Sequence, residues 1–289
     1  MQELTFTNSA GDSFVIGYGK PYLLQNLIGL SDAPIDLLST RGYHQDGQSG
    51  GGQYFQARSV SFSVVVVGED MREVYAHRRR LISFLNPKDE FAVIYKNEHL
   101  SVKFRCRVSL APAFESAQAR VGITPKTCAV TLVCDNPYLF DVEETVAQMS
   151  VDIPNMVFPL VFNPDMVLST FTNKEVILNN LGDVPAPVRI QFLGVSVNPV
   201  VTNVTTGEQI KVFKEILADE ILEITTGYGD KRVEIIKPDG TRENAFQYID
   251  LSSSFFQLAV GENTITYDED SGADSAQVYI YYSNLYVGV

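Results

Sequence analysis

Short apolar runs separated by turn residues predict a mainly β chain. Near the start, LTFTN and SFVIG flank the turn Asn8–Ser13, a pattern typical of a β-hairpin. The run LSVKFRCRVSLA alternates apolar positions with Lys103, Arg105 and Arg107, which predicts a strand with one buried face. The β-branched run Val60–Val67 predicts another core strand, and EFAVIYKN and KTCAVTLVCDN predict two more.

One helix is predicted, over residues 71–85. Asp70 can cap its N-terminus, and Glu73 three residues later completes a capping-box pattern. Asn86-Pro87 ends it, because proline cannot continue a helix. The apolar side chains that share one face at helical spacing are Met71, Val74, Tyr75, Leu81, Ile82 and Leu85.

From about residue 141 onward, β-branched runs recur between turn signals. This spacing of many short strands predicts a β-sandwich. The segment VFKEILADEIL has helical spacing, but strands flank it closely, so we predict two strands with a turn at Ala218-Asp219. The predicted strands lie in MSVDI, EVILNN, PVRIQFLG, QIKVF, ILEITT, KRVEIIK, SSFFQLAV, NTITYDED and AQVYIYYSNLYVGV.

The segment before Val60 is rich in glycine. Gly47 to Gly52 predict a flexible loop tip, because glycine adopts a positive φ at little cost. We predict a long hairpin over residues 41–58, or a loop that leads into the core strand. An extended hairpin exposes backbone groups with which a neighbouring subunit can pair, so this segment is a candidate assembly arm. An ordinary mobile loop is the alternative.

Charge is distributed unevenly along the chain. Residues 1–140 contain 14 Lys and Arg against 13 Asp and Glu, whereas residues 141–289 contain 8 against 22. This shift predicts two domains with these boundaries and with different surfaces. The acidic half would repel phosphate backbones, so we expect no sequence-specific nucleic-acid binding.

Composition places the chain among globular proteins, since 45% of its 289 residues are hydrophobic and 20% are charged. No run approaches the ~18 apolar residues of a transmembrane helix, so we expect no membrane insertion. The first residues lack the features of a signal peptide, and we expect synthesis in a cytoplasm. Cys106, Cys128 and Cys134 have no spacing typical of a disulfide scaffold or a zinc site and are interpreted as buried thiols.

Motifs for catalysis or cofactor binding are absent from the sequence. His44, His77 and His99 form no paired spacing, and the glycines from 47 to 52 precede no Lys-Ser or Lys-Thr of a phosphate-binding loop. The segment Asp268–Asp274 is similar to a calcium loop, but its fifth and sixth positions lack the required oxygen ligand and glycine, which favours a solvated acidic turn. We therefore predict no enzyme activity, no cofactor and no metal site.

Sugar binding is the main alternative for the acidic half. Sandwich domains bind glycans by stacking sugar rings on aromatic side chains, but this chain has no tryptophan. Tyr279, Tyr281, Tyr282 and Tyr286 could serve instead, although Tyr279 and Tyr281 share one face of a strand, as packing aromatics do. A glycan-binding module for attachment to the host cell wall and a cell-wall hydrolase are the competing function classes.

Several segments, taken in order, resemble the distal tail proteins of bacteriophages with long, non-contractile tails. These segments are Arg41–Gly47, Arg80–Pro87, Cys134–Tyr138, Asn180–Asp183, Asn203–Glu208, Leu258–Asn263 and the tyrosine-rich strand ending at Gly288-Val289. Their order and spacing carry the resemblance, which extends over nearly the whole chain.

The resemblance implies an N-terminal split-barrel-like β domain with one helix, followed by a β-sandwich similar to galectins or carbohydrate-binding modules. It implies a homohexameric ring hub that surrounds the DNA exit channel at the tail tip of a phage or prophage virion. One side of the ring would join the tail tube protein, and the other would join a tail-associated hub or fibre protein. A receptor-binding protein is an additional candidate partner. The family implies no catalytic residues.

Two groups of residues are candidate assembly contacts. A closed ring has head-to-tail contacts, so each subunit must offer two different patches. Arg78, Arg79 and Arg80 on the predicted helix are expected to meet acidic residues of another protein. The candidate contacts in the predicted hairpin are Arg41, Tyr43, His44, Asp46, Gly50, Gly51 and Tyr54.

Overall fold

Alternating buried and exposed side chains build two β units. A computed structural model describes residues 2–114, 126–149, 151–154, 169–172, 174–270 and 276–289. The first unit comprises Met1–Val142 and Tyr286–Val289, and the second comprises Glu143–Leu285. Residues 286–289, predicted to lie in the second domain, belong to the first unit, where Val289 hydrogen-bonds to Leu30 and Ser31.

The first unit is a β domain that carries the one α-helix of the described residues. Its elements are β1 (Glu3–Asn8), β2 (Ser13–Ile16), β3 (Tyr22–Ile28), β4 (Ile35–Thr40), β5 (Ser49–Phe55), β6 (Arg58–Val66), α1 (Met71–Phe84), β7 (Glu90–Lys96), β8 (Ser101–Phe114), β9 (Lys126–Cys134) and β10 (Leu139–Asp141). The main sheet has the strand order β2-β1-β7-β8-β9-β6-β3, and its neighbouring strands pair antiparallel.

A short parallel contact closes this sheet into a barrel. The Gly17 amide donates to the Tyr22 carbonyl at 3.1 Å, and the Leu24 amide donates to the Gly17 carbonyl at 2.7 Å. These bonds join the end of β2 to β3, the two outer strands of the sheet. Closure removes the free edges that an open sheet would present.

Aromatic side chains fill the barrel interior. The Phe6 ring lies 6.0 Å from that of Phe62 and 6.2 Å from that of Phe91, measured between ring centroids. Phe84, at the end of α1, stacks on Phe14 of β2 at 4.8 Å. Burying each large apolar side chain contributes about 1.5–3 kcal/mol, so these contacts anchor the helix to the barrel.

The helix begins and ends close to the expected positions. The Asp70 carboxylate accepts a hydrogen bond from the Glu73 amide at 2.7 Å, and the Glu73 carboxylate accepts one from the Glu69 amide at 2.6 Å. The first bond satisfies an amide that a helix leaves unpaired at its N-terminus, and the second ties the residue before the cap to the first turn. Leu85 is the C-cap.

The buried face of the helix is narrower than the sequence indicates. Val74, Leu81 and Leu85 are fully buried, whereas Tyr75 and Ile82 are 54% and 41% exposed. Helical spacing alone predicted that Tyr75 and Ile82 share the buried face. Only one side of the apolar stripe faces the barrel, and Tyr75 and Ile82 lie together on the other side.

The predicted hairpin lies closer to the N-terminus than expected. Strand β4 pairs antiparallel with β5, so the hairpin spans residues 35–55 and residues 41–48 connect its strands. Residues 49–52, expected at a flexible tip, belong to β5. Arg58, expected within the hairpin, begins core strand β6.

The second unit is a β-sandwich, as expected. Its elements are β11 (Thr145–Met149), β12 (Val151–Pro154), β13 (Ser169–Thr172), β14 (Glu175–Asn180), β15 (Ala186–Leu193), β16 (Ser196–Val197), β17 (Val200–Asn203), β18 (Glu208–Lys211), β19 (Glu215–Ile216), β20 (Ile221–Gly227), β21 (Asp230–Ile236), β22 (Arg242–Asn244), a 3-10 turn (Phe246–Tyr248), β23 (Gln257–Leu258), β24 (Gly261–Asp268), β25 (Gln277–Tyr282) and β26 (Leu285–Tyr286), whose last residue belongs to the first unit.

Two antiparallel sheets enclose the core of this unit. One has the order β11-β25-β15-β20-β21-β22, and the other has the order β14-β24-β17-β18. Phe192 of the first sheet contacts Tyr267 of the second, with ring centroids 5.7 Å apart. This confirms the predicted mainly β fold with one helix and a C-terminal sandwich. The segment VFKEILADEIL forms β19, a turn and the start of β20, as predicted, whereas SSFFQLAV contains only the two-residue strand β23.

Candidate assembly surface

The hairpin β4–β5, called the arm below, is an uncovered two-stranded ribbon. Among the described strands, these two pair only with each other. The exposed fractions of its apolar side chains are 51% for Ile35, 68% for Leu37, 47% for Leu38 and 63% for Tyr54. An isolated two-stranded hairpin is at best marginally stable in water. A ribbon with this much exposed apolar surface is therefore typical of a segment that is covered by a partner.

Both faces of the arm carry apolar side chains. Ile35 lies opposite Phe55, and Leu37 follows on the same face. Leu38 and Tyr54 lie on the other face. A loop packed against its own unit would bury one of its faces. A hairpin that is exposed on both faces can be covered by a partner on each face.

Local hydrogen bonds shape the tip of the arm. The Gly42 amide donates to the Gln45 side-chain oxygen at 2.9 Å, and Arg41 Nε donates to the Gln45 carbonyl at 3.0 Å. Gln45 Nε2 donates in turn to Ser49 Oγ at 3.0 Å. Gly47, with φ +84°, adopts the left-handed conformation that glycine tolerates. The tip is therefore a turn that local hydrogen bonds hold in one conformation.

The structure places four predicted contact residues together at this tip. Arg41, Tyr43, His44 and Asp46 line one shallow hollow. Tyr43 is 95% exposed, and its ring packs against that of His44 with centroids 4.1 Å apart. The side chains offer a cation, an anion and two rings to a partner. The other three predicted residues, Gly50, Gly51 and Tyr54, lie in β5.

A buried arginine that the sequence pattern does not reveal fixes the root of the arm, which is the segment Gly29–Asp32 that leads into β4. Arg58 is fully buried. Its guanidinium donates to the carbonyl oxygens of Gly29 at 2.8 Å and of Asp32 at 2.9 Å. Burial lowers the pKa of Arg58, while nearby Cys134 and Asp32 oppose that shift. Further acceptors are the carbonyls of Leu30, Pro137 and Val287.

The segment Tyr286–Val289 completes this root. The Val289 amide donates to the Leu30 carbonyl at 3.1 Å, and Ser31 Oγ donates to the Val289 carbonyl at 2.8 Å. A Cβ on Gly288 would lie 2.5 Å from the Ser31 carbonyl oxygen, so only glycine fits there. The chain entering the arm is therefore held by residues that are remote in sequence.

The three helix arginines, predicted as one contact patch, diverge in the structure. Arg78 lies over the Phe114 ring at 4.5 Å, and Arg80 lies over the Phe14 ring at 5.9 Å. These cation–π contacts hold the guanidinium groups of Arg78 and Arg80 against rings of their own unit. Within the described ranges, none of Arg78, Arg79 and Arg80 forms an ion pair.

Arg79 and Arg80 line a groove between the helix and the β1–β2 turn. Asp12 and Asp89 line the same groove, so it carries both signs of charge. In the barrel, three strands separate β1 from β6 in one direction and two in the other. The groove and the arm root therefore lie on opposite sides of the barrel.

The histidines and the acidic turn singled out in the sequence lie in separate segments of the described structure. Within the parts of the chain that the structure covers, no three His, Cys, Asp or Glu side chains cluster as metal ligands. His77 Nε2 lies 3.3 Å from Glu73 Oε1 on the helix. The acidic turn at Asp268 is described only to Asp270, so the rest of that segment lies outside the described residues. No helix of the described chain is long and apolar enough to cross a membrane.

The outer face of the larger sandwich sheet carries a layer of paired charges. Glu223 is nearly buried, and its carboxylate accepts hydrogen bonds from Arg242 at 2.7 Å and from Gln191 at 2.6 Å. Burial raises the pKa of Glu223, but these bonds outweigh it, and the net pKa lies below the ordinary value. Arg189 covers the Tyr281 ring at 3.9 Å. Tyr281 is thus shielded by an arginine rather than open to a sugar ring.

Comparison with family models identifies both units. Residues 10–123 match the phage tail protein RIFT-related domain, and residues 181–286 match the siphovirus-type tail component, C-terminal domain. A barrel followed by a sandwich, each matched in this way, defines the chain as a phage tail component. The chain therefore carries both domains of siphovirus-type tail components. No curated protein sequence matches the chain.

Solved structures share the fold over the whole chain. The Dit (gp 19.1) protein of phage SPP1, described as a paradigm of the hub of the adsorption apparatus in phages infecting Gram-positive bacteria, matches with a TM-score of 0.66 at 12% identity and 98% coverage of each chain. A chain of the phage P2 baseplate in its activated conformation with Ca matches with a TM-score of 0.54 at 14% identity and full coverage of both chains. The P2 baseplate with Sr gives the same values.

Proposed function

We propose that this protein is a structural hub of the phage tail tip, in which six copies form a ring around the DNA exit channel. The observation that carries the proposal is the uncovered arm, whose apolar side chains are exposed on both faces. Burial of such a surface drives association. In the ring, each arm packs on the next subunit and pairs its backbone edge with that neighbour.

A head-to-tail ring needs two different patches on each subunit, and the barrel offers two. The arm leaves from β6, and the groove at Arg79, Arg80, Asp12 and Asp89 lies on the opposite side. The groove presents both signs of charge, as does the arm tip with Arg41 and Asp46. We assign the groove as the surface that receives the neighbouring subunit.

The ring joins two further kinds of tail protein. One face meets the tail tube protein, and the other meets a tail-associated hub or fibre protein. The acidic sandwich is a candidate attachment site for a receptor-binding protein. The protein works in the virion as a structural component, is made in the cytoplasm of the host bacterium and carries out no reaction.

Light scattering across a concentration series, with electron microscopy of the same samples, tests the ring. We expect hexamers, or a monomer–hexamer equilibrium, for the natural sequence. Leu37→Ser on the arm should weaken association at least about tenfold, because it removes an apolar side chain from the contact. Ile177→Ser, an exposed apolar position in the sandwich, is the matched control and should leave association unchanged.

A strict monomer at every concentration would contradict self-assembly through the arm. Equal association of the Leu37 variant and the natural sequence would contradict the role of the arm and leave the ring to other surfaces. Binding of cell-wall glycan fragments by the monomer would favour the competing glycan-binding function.

A further inference from the structure

Three side chains form a row across adjacent strands inside the barrel. Arg58 of β6 lies opposite Cys134 of β9. The next pairing, between β9 and β8, brings Val133 opposite Arg107, so in the same register Cys134 lies opposite Cys106. All three side chains are buried. The row therefore places a guanidinium beside one cysteine and a second cysteine on its other side.

The two cysteines of this row interact directly. The contact with Cys134, together with burial, raises the pKa of Cys106, and the contact with Cys106 lowers the pKa of Cys134. Arg58 lowers the pKa of Cys134 further through its charge. A sulfur with a lowered pKa beside a cation gains the thiolate character that makes a cysteine nucleophilic. Cys106 is then placed to attack Cys134 once Cys134 is oxidised.

Cys128 provides an internal comparison on the same strand. It is also buried, and it lies opposite Val64 on one side and Phe114 on the other. Burial raises the pKa of Cys128 to about 11. Cys128 therefore shares the strand and the barrel interior with Cys134 but has no cysteine across from it.

We propose that Cys106 and Cys134 are an oxidisable dithiol that a peroxide converts into a cross-strand disulfide between β8 and β9. The Cys134 thiolate attacks one peroxide oxygen, the O–O bond breaks, and hydroxide leaves. Two electrons pass from sulfur to oxygen, which gives a sulfenic acid at Cys134. The Cys106 sulfur then attacks the Cys134 sulfur, the S–O bond breaks, and the Cys106 proton leaves with the hydroxyl group as water.

The disulfide would lock the barrel wall beside the root of the arm. Cys134 is the direct neighbour of Arg58, whose guanidinium holds the chain entering the arm. Cytoplasmic thiols stay reduced, whereas an oxidising exterior allows the bond to form. This assignment rests on the barrel geometry and holds whether or not the protein forms a ring.

The test treats the folded protein with hydrogen peroxide, blocks the remaining thiols in denaturant and maps the peptides by mass spectrometry. We expect a peptide pair that joins Cys106 to Cys134 and has lost two hydrogens, while Cys128 remains available for blocking. The pair should form at least about tenfold faster than Cys128 oxidises.

Matched variants distinguish the pair from general oxidation. Cys128→Ser should cross-link at the natural rate, whereas Cys106→Ser and Cys134→Ser should form no intramolecular bond. Equal reactivity of all three thiols, cross-linking only after unfolding, or peroxide-resistant thiols in the folded protein would each overturn the proposal. Circular dichroism of each variant establishes that the barrel is folded during the reaction.

Discussion

Replacing Arg58 tests whether one buried cation holds the arm root. Arg58→Met keeps much of the side-chain volume but removes every donor to the five carbonyl oxygens around it. The carbonyls would remain buried with fewer partners. We therefore expect a large loss of stability that is confined to the first unit.

The magnitude follows from the contacts. A hydrogen bond to a charged group contributes about 1.5–3 kcal/mol, and each buried acceptor left unsatisfied costs about 1–3 kcal/mol. Burial of the guanidinium itself costs several kcal/mol, which Met would not incur. The balance predicts about 4 kcal/mol of destabilisation for Arg58→Met. Arg58→Lys retains a charge and three donors, and we expect about 2 kcal/mol.

Scanning calorimetry at one pH measures both variants against a control. The first unit should unfold about 12 °C lower in Arg58→Met, since about 1 kcal/mol shifts a unit of this size by roughly 3 °C. Arg105→Met, at an exposed position of β8 in the same sheet, should change stability by less than about 0.5 kcal/mol. The transition of the second unit should not move.

Two results would refute this reasoning. A loss below about 1 kcal/mol for Arg58→Met would mean that water or rearranged backbone satisfies the carbonyls. An equal shift of both transitions would mean that the effect is not local to the arm root.

Three further predictions concern separate features. Glu223→Gln should destabilise the sandwich by about 2 kcal/mol at pH 7. Because the pKa of Glu223 is lowered in the folded protein, this difference should persist above about pH 4.5 and shrink as the pH falls through the folded pKa. Thermal unfolding from pH 7 to pH 3 measures it. Gly29→Ala should lower the free energy of unfolding in urea by at least about 3 kcal/mol, because its Cβ would lie 2.1 Å from the Ser59 carbonyl oxygen. The control Gly11→Ala has a similar positive φ but open space around the Cβ, and it should lower that free energy by about 1 kcal/mol. Asp70→Ala should cost about 1 kcal/mol of barrel stability by the same assay, through loss of the helix cap, and no loss would contradict the capping role.

Local patterns predicted the elements that depend on local physics. The capping residues Asp70 and Glu73 located the start of the helix, and alternation located β8. The hairpin was displaced because Gly50 and Gly51 have a composition typical of a loop, whereas pairing with β4 makes them part of a strand. Pairing between strands is a tertiary choice that composition does not reveal.

The root of the arm could not be found from the sequence. Arginine is rarely buried without partners, so Arg58 looks like a surface residue that precedes a core strand. Its partners are carbonyl oxygens, which every residue carries and which leave no signature in the sequence. They also come from segments as distant as Gly29 and Val287. Only the fold brings these segments together.

The position of Val287 has a consequence for synthesis on the ribosome. The carbonyl of Val287 is one of the acceptors around Arg58, yet 143 residues of the second unit, Glu143–Leu285, separate it from the rest of the barrel sequence. At about 5–20 residues per second, translation of that insertion takes roughly 7–30 s. During this interval the barrel exists without its last segment, and the arm root lacks one of its ties. Completion of the sandwich sequence therefore sets the earliest time at which all the contacts of the arm root can form.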